Sequence, residues 1–277
     1  MDVKTKSELE EIACKVRIGI IHGVHAAKSG HPGGSLSCAD ILTYLYFKEM
    51  NIDPENPKDP NRDRFVLSKG HAAPALYSVL AQRGYFSPDE MFNLRHVGSF
   101  LQGHPDMKNV NGVDMSTGSL GQGISAAVGM ALSAKHFGDN YRVFAVLGDG
   151  ELEEGQVWEA AMFAGNKKLS NLTVFVDFNG LQIDGTIEEV NSARPIDKKF
   201  EAFGFNVIEI DGHDFDQIEN ALKTANKSDK PTAIIAKTIK GKGVSYMENA
   251  VNWHGAAPND ELYEQAISEL TAALSAF

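Results

Sequence analysis

The sequence predicts an α/β protein in which a mostly parallel sheet is covered by helices on both faces. Short apolar runs, rich in β-branched and aromatic residues, recur along the chain and are typical of buried strands. Segments with helical spacing of their apolar residues separate these runs, so that strands and helices alternate. Such an alternation indicates parallel strands joined by helices that pack on the sheet.

The composition is that of a globular protein with room for a full core. The 277 residues are 43% hydrophobic and 23% charged, and we expect a single domain over residues 1–277. The net charge of -11, with no block of Lys and Arg, argues against nucleic acid as the main partner. The first 30 residues lack a signal peptide pattern, and no apolar run is long enough to span a membrane. We therefore expect a cytoplasmic protein with no membrane partner.

The beginning of the chain predicts two helices joined by a loop. Residues 7–29 have apolar positions near helical spacing, with Ser7 as the predicted N-cap and a glutamate three residues later. The stretch 30–34, GHPGG, contains too much Gly and Pro for a helix or a central strand, so we predict a loop that frames His31. Ser35 or the serine two residues later would cap the next helix, which runs to about residue 50.

Two further loops each carry a histidine. After a surface connection rich in Pro, Asp and Asn, residues 65–67 form a predicted short strand, and a helix is predicted at 72–83. His71 lies between the two, where α/β folds bind anionic ligands. His104 lies in a second Gly/Pro loop at 102–106.

A glycine-rich turn at 116–123 runs into a helix predicted at 124–137. Such a turn can bind phosphate through its backbone amides, and it can equally serve close packing. The Ala and Gly residues along the helix allow another helix or a partner subunit to approach closely. From the sequence alone both interpretations stay open.

The centre of the chain predicts a strand–helix–strand unit with a polar side chain at each strand end. Strands are predicted at 141–147 and 172–177, with a helix at 151–168 between them. Asp149 follows the first strand between two glycines, and Asn179 follows the second. A carboxylate and a carboxamide on neighbouring strand ends suit a hard divalent cation that holds a diphosphate. The alternative is an ordinary unit with a tight turn after each strand.

The last third of the chain completes a β-α-β-α-β order. The predicted elements are strands at 205–210 and 232–238 and helices at 215–226 and 260–276. Residues 239–243, IKGKG, are predicted to leave the last strand as a mobile loop. The segment WHG places His254 in a further loop before the closing amphipathic helix.

Gly or Pro bounds the loops that carry four of the nine histidines, which are His31, His71, His104 and His254. A lone loop histidine usually faces solvent, but together the four suggest a polar site that binds hydroxyls and phosphate and moves protons near neutral pH. None has the i, i+4 pairing of a zinc ligand, and the two cysteines lie on separate predicted helices, which argues against a disulfide or zinc site. We interpret the others as structural or surface residues: His22, His25, His96, His136 and His213.

The combined motifs resemble those of the transketolase family. GDG is followed by Glu154, Glu159 and the closing Asn179, as in the thiamin diphosphate motif of these enzymes. The segments SGHPGG, SKGHAAPALY, QGHPD, STGSLGQGIS and WHG match the family in order and at similar spacing, across essentially the whole chain. The resemblance implies a thiamin diphosphate-binding fold.

The resemblance also implies roles for individual residues. The implied ligands of the metal ion, Mg²⁺ with Ca²⁺ or Mn²⁺ able to substitute, are Asp149, Asn179 and the backbone carbonyl of Leu181. His31 and His104 would face the sugar and, together with His254, would assist proton transfer at its hydroxyl and carbonyl. The residues implied in cofactor binding are His71, Gly118, Leu120, Gly148, Asp149, Gly150, Glu154, Asn179, Leu181, Ile183 and His254.

The part of the family that this sequence does not match implies a split enzyme. Single-chain transketolases have a diphosphate-binding, a pyrimidine-binding and a C-terminal domain, and the match covers the first. The glutamate that acts on the aminopyrimidine ring and the residues that grip the sugar phosphate belong to the other two. The resemblance therefore implies the N-terminal subunit of a split transketolase, which moves a two-carbon ketol unit from a ketose phosphate to an aldose phosphate in the pentose phosphate pathway. A separate C-terminal subunit would complete an α2β2 heterotetramer, with Glu154 and Glu159 at the subunit interface.

Three other interpretations stay open at this point. 1-Deoxyxylulose-5-phosphate synthase shares the GDG motif, although the contexts of the loop histidines fit it less well. The α subunit of a 2-oxo acid dehydrogenase is also a separate diphosphate-binding chain, but it has no need of four loop histidines for sugar hydroxyls. A non-catalytic regulatory chain would keep the fold and lose turnover, whereas Asp149, Asn179 and the four histidines are all present.

Overall fold

A computed structural model describes residues 1–275 and 277. The strands are β1 (Arg64–Leu67), β2 (Val143–Gly148), β3 (Leu172–Phe178), β4 (Asn206–Asp211) and β5 (Thr232–Lys237). Within the described residues they form one parallel sheet with the order β1-β2-β3-β5-β4. The predicted α/β fold with a parallel sheet is confirmed, and each strand lies within two residues of its predicted bounds.

Helices connect the strands and pack on the sheet. Those of the described chain are α1 (Val3–Ala26), α2 (Pro32–Ser37), α3 (Ala39–Tyr44), α4 (Ala73–Arg83), α5 (Gln122–Phe137), α6 (Gly155–Asn166), α7 (Ile187–Asn191), α8 (Ile196–Ala202), α9 (Phe215–Ala225) and α10 (Asp260–Leu274). None of them, in the part of the chain that the structure describes, is long and apolar enough to cross a membrane.

Alternate residues of each strand enter two different cores, one on each face of the sheet. On β2, Phe144 and Val146 pack in a core that includes residues of α1, α3, α4 and α9. Their neighbours Ala145 and Leu147 pack on the opposite face with residues of α5 and α6. Because both faces of the sheet interior are buried, strands such as β2 are continuous apolar runs, whereas the edge strand β4 also carries exposed polar residues.

The register of the sheet brings the carboxyl ends of the central strands side by side. Gly148 at the end of β2 pairs with Asp177 on β3, and Asp177 pairs with Ala236 on β5. The residues that follow these strands therefore meet at one edge of the sheet. In open α/β sheets this edge is where ligands bind.

The first and last helices pack on each other. The Cys14 thiol on α1 donates to the carbonyl of Leu270 on α10 at 3.1 Å. Nδ1 of His22 lies 2.9 Å from the hydroxyl of Tyr263, and the ring of His25 stacks on the same tyrosine at 3.9 Å between centroids. Both histidines thus have the structural role that the sequence analysis gave them.

Three helices begin earlier than predicted, among them α5, which starts at Gln122 and not at residue 124. α1 starts at Val3 and not at Ser7, because the Asp2 carboxylate already caps it by accepting from the Thr5 amide at 2.9 Å. α2 starts at Pro32, inside the stretch predicted as a loop. Proline suits the first turn of a helix, where its missing amide hydrogen needs no partner.

Three other helix predictions differ from the structure in their extent. The helix expected to run from a serine cap to about residue 50 is divided into α2, α3 and a π turn at Leu45–Glu49, and Ser35 and Ser37 lie inside α2. The helix predicted at 151–168 opens with a 3₁₀ turn at Gly150–Glu153, and α6 starts only at Gly155. The closing helix predicted at 260–276 ends at Leu274, and Ala276 lies outside the described residues.

Candidate active site

A cavity of about 250 Å³ opens at the carboxyl ends of β1, β2 and β3. All predicted site residues line it except His104 and Glu154. A wider groove of about 500 Å³ beside β4 and β5 contains none of them. The lining residues that the sequence analysis did not select are Gly34, Lys69, Glu151, Gln182 and Lys240.

One wall of the cavity presents three different oxygen donors, from Asp149, Asn179 and Leu181. Asp149 is 3% exposed, and its carboxylate accepts from the Gly150 amide at 2.9 Å and from the Gly180 amide at 2.5 Å. The carboxamide oxygen of Asn179 accepts from the Leu181 amide at 3.2 Å. These bonds fix the turn after β3 against the turn after β2. They place the carboxylate, the carboxamide and the Leu181 carbonyl around the same space.

The chemistry of this wall fits a divalent cation. Burial, and after it the neighbouring Asp177 carboxylate, raises the pKa of Asp149 to about 7, although two backbone amides and the Lys240 charge act in the opposite direction. The Lys240 ammonium donates to the Leu181 carbonyl at 3.0 Å, so this oxygen already accepts a cationic partner. Carboxylate, carboxamide and carbonyl oxygens are the ligands that Mg²⁺ and Ca²⁺ prefer. The described residues contain no group of three or more His, Cys, Asp or Glu placed to hold a metal. Mg²⁺ usually takes only one or two protein carboxylates and completes its coordination with phosphate and water.

Two glycines allow the turns around the cavity to touch through their backbones. A Cβ atom on Gly70 would lie 2.7 Å from the amide nitrogen of Gly118. Gly118 has a φ of 156°, and a Cβ there would lie 3.0 Å from the His104 ring. The glycine-rich turn at 116–123 therefore packs on the SKGH turn, and it also lines the cavity.

Three of the four loop histidines form a compact cluster. The ring centroids of His31, His71 and His254 lie 5.2 to 5.4 Å apart. Burial, assisted by Arg95, lowers the pKa of His31 to about 4, and burial, assisted by Lys240, lowers that of His254 to about 3. The pKa of His71 is also well below its ordinary value, mainly through burial. The three imidazoles are therefore neutral at pH 7 and can accept protons or hydrogen bonds.

His31 also has an orphaned polar atom. Its Nδ1 is buried and has no hydrogen-bond partner among the residues that the structure describes. Buried polar atoms are rarely left without a partner, so this nitrogen is suited to a bound ligand.

The fourth loop histidine, His104, lies at the rim. It is exposed and stands next to Gly118, outside the cluster of three rings. Its backbone carbonyl accepts from the Tyr77 hydroxyl at 2.7 Å, which anchors the loop. Partial burial, followed by Arg95, lowers the pKa of its ring.

Glu154 was predicted among the cofactor-binding residues, but the structure places it outside the cavity wall of this chain. Glu154 is exposed at the N-cap of α6, whereas Glu151 lines the cavity and is 2% exposed. The Glu151 carboxylate accepts from the Ser68 hydroxyl at 2.5 Å, from the Gly121 amide at 2.9 Å and from the Gly148 amide at 3.1 Å. It thus joins the ends of β1 and β2 to the glycine-rich turn. This is why the helix predicted from residue 151 starts later.

A buried ion pair below the cavity was missed by the sequence analysis. Lys69 and Asp177 are 1% and 0% exposed, and Nζ of the lysine lies 2.6 Å from the carboxylate. Asp177 also accepts from the hydroxyls of Ser37 and Thr238 and from the carboxamide of Asn179 at 3.2 Å. Burial alone would raise the pKa of Asp177, but Lys69 together with the hydroxyls of Ser37 and Thr238 outweighs it, and the pKa is lowered. The one indication of this ion pair in the sequence was that both residues lie at the ends of predicted strands.

Lys240 is a second lysine in the cavity wall that the sequence analysis did not select. The IKGKG segment was predicted as a mobile loop, but Lys240 is 1% exposed and its ammonium also lies 2.9 Å from Nδ1 of His254. Burial lowers its pKa to about 8. The available indication in the sequence was a lysine that follows a predicted strand closely and is itself followed by a glycine.

The family model described as transketolase, thiamine diphosphate binding domain, matches residues 9–273. The chain belongs to the transketolase family. The predicted family, fold and enzyme class are thereby confirmed, and thiamin diphosphate is the cofactor of the matched domain.

Two bacterial relatives resemble the chain over nearly its whole length. The 6-deoxy-6-sulfo-D-fructose transketolase subunit SqwG of Clostridium sp. (strain MSTE9) is 48% identical over 87% of this chain and 88% of its own. An apulose-4-phosphate transketolase subunit of Phocaeicola vulgatus is 43% identical over 98% of this chain and 95% of its own. Both are named as subunits of a transketolase.

Single-chain transketolases resemble this chain over part of their length. Human transketolase is 43% identical over 97% of this chain, which spans 43% of the human protein. The crystal structure of transketolase from Campylobacter jejuni superposes with a TM-score of 0.91 at 36% identity, and it too is matched over 43% of its length. The chain therefore spans less than half of these transketolases.

Proposed function

We propose that this chain is the N-terminal subunit of a split transketolase, which moves a two-carbon ketol unit from a ketose phosphate to an aldose phosphate. The observation that carries the proposal is the cavity, in which oxygen donors, buried lysines and neutral histidines converge. Its first wall suits a cation and a diphosphate, and its histidine cluster suits the hydroxyl and carbonyl groups of a sugar. The similarity in length to the two named transketolase subunits supports it.

Asp149, Asn179 and the Leu181 carbonyl would bind the divalent cation that accompanies the diphosphate. Mg²⁺ is the preferred ion, and Ca²⁺ or Mn²⁺ would substitute because they take the same oxygen ligands. When bound, thiamin diphosphate supplies the electron sink for breaking the bond between C2 and C3 of the ketose.

Backbone amides and two side chains would hold the diphosphate itself. The glycines of the GDG turn let the backbone approach a phosphate closely, and His71 lies at the start of a helix beside it. Lys69 is engaged by Asp177, whereas no carboxylate among the described residues pairs with Lys240. We infer that Lys240 is the cation that faces a phosphate or sugar oxygen. Gly118, Leu120 and Ile183 line the same cavity and would contact the rings of the cofactor.

The neutral histidines would handle the protons of the sugar. His31 is neutral at pH 7 because burial lowers its pKa, so it can accept a proton from a hydroxyl and return it to a carbonyl oxygen. Nδ1 of His254 accepts from the Lys240 ammonium, so Nε2 of this neutral ring carries a hydrogen and would donate it to a sugar oxygen. His104, at the rim, would contact the part of the sugar that extends out of the cavity.

A second polypeptide would complete the site. We propose that it supplies the pyrimidine-binding and C-terminal parts, and that two copies of each chain form an α2β2 assembly. In support, Glu154 at the N-cap of α6 and Glu159 on α6 are exposed, and the apolar side chain of Ile183, which lines the cavity, is 65% exposed. The two relatives named as transketolase subunits support the presence of a second polypeptide.

The substrates would be sugar phosphates or close analogues of them. The names of the relatives include a sulfonated ketose and apulose 4-phosphate, so we include sulfonated and branched ketoses among the candidates. We propose the cytoplasm as the location, which the two buried free thiols Cys14 and Cys38 support. We also propose that the chain forms a single domain.

The test is to recover the tagged chain with whatever copurifies from its own cell and to assay ketol transfer from xylulose 5-phosphate to ribose 5-phosphate. Thiamin diphosphate and Mg²⁺ are supplied or withheld, and the chain made alone is assayed in parallel. Cofactor-dependent transfer only in the material that contains a second chain is the expected result. Transfer by the lone chain would contradict the split enzyme, and a complex that binds cofactor without transfer would contradict the sugar assignment.

A further inference from the structure

A charged cluster outside the cavity contacts the segment that carries Lys240. It consists of Arg17 on α1, Asp40 on α3 and His213 in the turn after β4. Asp40 is 5% exposed, and it accepts from Nη1 of Arg17 at 3.0 Å and from Nη2 at 2.6 Å. Nδ1 of His213 lies 2.6 Å from the same carboxylate. We call these three residues the Arg17–Asp40–His213 cluster.

The partners of His213 fix its tautomer. Burial alone would raise the pKa of Asp40, but Arg17 and the imidazole hold it at about 2, so the carboxylate is ionised and can only accept. Nδ1 of His213 must therefore carry the hydrogen. Nε2 lies 2.9 Å from the amide nitrogen of Ile239, which can only donate, so Nε2 is the acceptor. A neutral imidazole thus joins α3 to the backbone that follows β5.

The cluster contacts this backbone on both sides of Lys240. Ile239, directly before it, donates to His213, and the carbonyl of Lys242 accepts from Nε of Arg17 at 3.1 Å. A lysine side chain has four rotatable bonds, so its ammonium keeps one position only if the backbone below it is fixed. The two contacts supply this fixation from α1 and from the turn after β4, and none of the three cluster residues lines the cavity.

We propose that the Arg17–Asp40–His213 cluster is a positioning device that fixes the backbone of residues 239–242 and so holds the Lys240 ammonium in the cavity. In the structure that position is 3.0 Å from the Leu181 carbonyl and 2.9 Å from Nδ1 of His254. The effect of the cluster on catalysis rests on the proposed function, whereas its effect on the backbone does not.

Hydrogen–deuterium exchange of the full chain separates local positioning from general stability. His213→Phe removes both hydrogen bonds of the imidazole, whereas His213→Gln keeps one donor and one acceptor at a similar separation. The control Asp63→Asn weakens a partly buried salt bridge, with Arg142 at 2.7 Å, on the amino-terminal side of the sheet. It leaves residues 239–242 untouched.

We expect amide exchange in peptides that cover residues 238–243 to be at least about tenfold faster in His213→Phe than in the native chain, because the Ile239 amide loses a buried acceptor. His213→Gln should restore most of the protection, and the Asp63→Asn control should not change it relative to other segments. Equal exchange in the native chain and His213→Phe would overturn the proposal, as would equal acceleration in His213→Phe and His213→Gln.

Acylation of Lys240 with an amine-reactive reagent gives a second readout that needs no activity. We expect His213→Phe to be labelled faster at this residue than the native chain, with unchanged labelling at the exposed Lys135. Unchanged labelling of Lys240 would contradict the proposal. In the assembled complex, His213→Phe should lower ketol transfer more than Asp63→Asn does. If the native complex transfers nothing, the proposed function fails while the exchange and labelling results still decide the role of the cluster.

Discussion

Replacing Lys69 by methionine tests how strongly the floor of the cavity depends on its buried ion pair. Methionine keeps most of the side-chain length but removes the ammonium that lies 2.6 Å from the Asp177 carboxylate and 2.5 Å from the Gly34 carbonyl. Both charged residues are almost fully buried. Leaving one partner of such a pair unpaired costs about 3–5 kcal/mol. We expect Lys69→Met to lower the free energy of unfolding by this amount, a large part of the roughly 5–15 kcal/mol of a typical domain.

The assay is urea unfolding of the full chain at pH 7, followed by circular dichroism. Lys237→Met is the matched control, because Lys237 forms an exposed pair with Glu209 at 3.5 Å that is worth about 0–1 kcal/mol. Adding Asp177→Asn to Lys69→Met removes the unpaired charge and should restore part of the loss. If Lys69→Met loses no more stability than Lys237→Met, the reasoning about the buried pair is refuted.

Further predictions concern packing, acid stability and metal binding. Gly165→Ala should lower the free energy of unfolding by about 1–3 kcal/mol or more, because its Cβ would lie 1.7 Å from a backbone oxygen. Gly129→Ala on α5, whose added Cβ would meet nothing within 4 Å, should raise the free energy of unfolding by about 0.5–1 kcal/mol. Thermal unfolding of both variants measures these changes in stability. Asp40 has a pKa held at about 2, below its ordinary 3.8, so its contribution to stability is present above pH 4 and is lost as the pH falls from there. The stability difference between the native chain and Asp40→Asn should therefore narrow below pH 4 in urea unfolding, and a constant difference would speak against the salt bridge. Asp149→Ala should raise the Mg²⁺ concentration that the assembled complex needs to bind thiamin diphosphate. Changing a residue that only supports a metal ligand lowers metal affinity roughly 10- to 100-fold, and we expect a larger effect here. Calorimetry measures this, and an unchanged requirement would remove Asp149 from the metal site.

The strands could be predicted because burial on both faces leaves a simple pattern in the sequence. Runs such as that of β2 are apolar at every position, and glycine or a polar residue ends each of them. The helix bounds were harder, because tertiary contacts decide them. The Glu151 carboxylate, for example, is held by residues of three other segments, and this delays α6.

The residues on the cavity wall were predictable where the motif itself carries the chemistry. Asp149, Asn179 and the histidines follow strands or lie in Gly/Pro loops, and the structure brings most of them together. Lys69 and Lys240 were not predictable in this way, because a lysine in a loop is normally solvated. Their burial depends on partners that are distant in sequence, such as Asp177 and the Leu181 carbonyl.

The contacts of His213 could not be predicted from the sequence either. In the sequence it is an ordinary histidine after a strand, with no Gly/Pro frame on both sides. Its importance follows from Asp40, 173 residues away, and from the backbone of Ile239. No local pattern could have indicated that pairing.

The contact between α1 and α10 has a consequence for the synthesis of the chain. The Cys14 thiol and the Leu270 carbonyl that it meets are 256 residues apart. At the usual 5–20 residues per second, a ribosome needs roughly 13 to 51 s to make the intervening chain. During this time the surface of α1 that faces α10 stays uncovered, while the strands and their connecting helices can already assemble. Chaperone binding to nascent chains should therefore concentrate on α1 and end when α10 emerges.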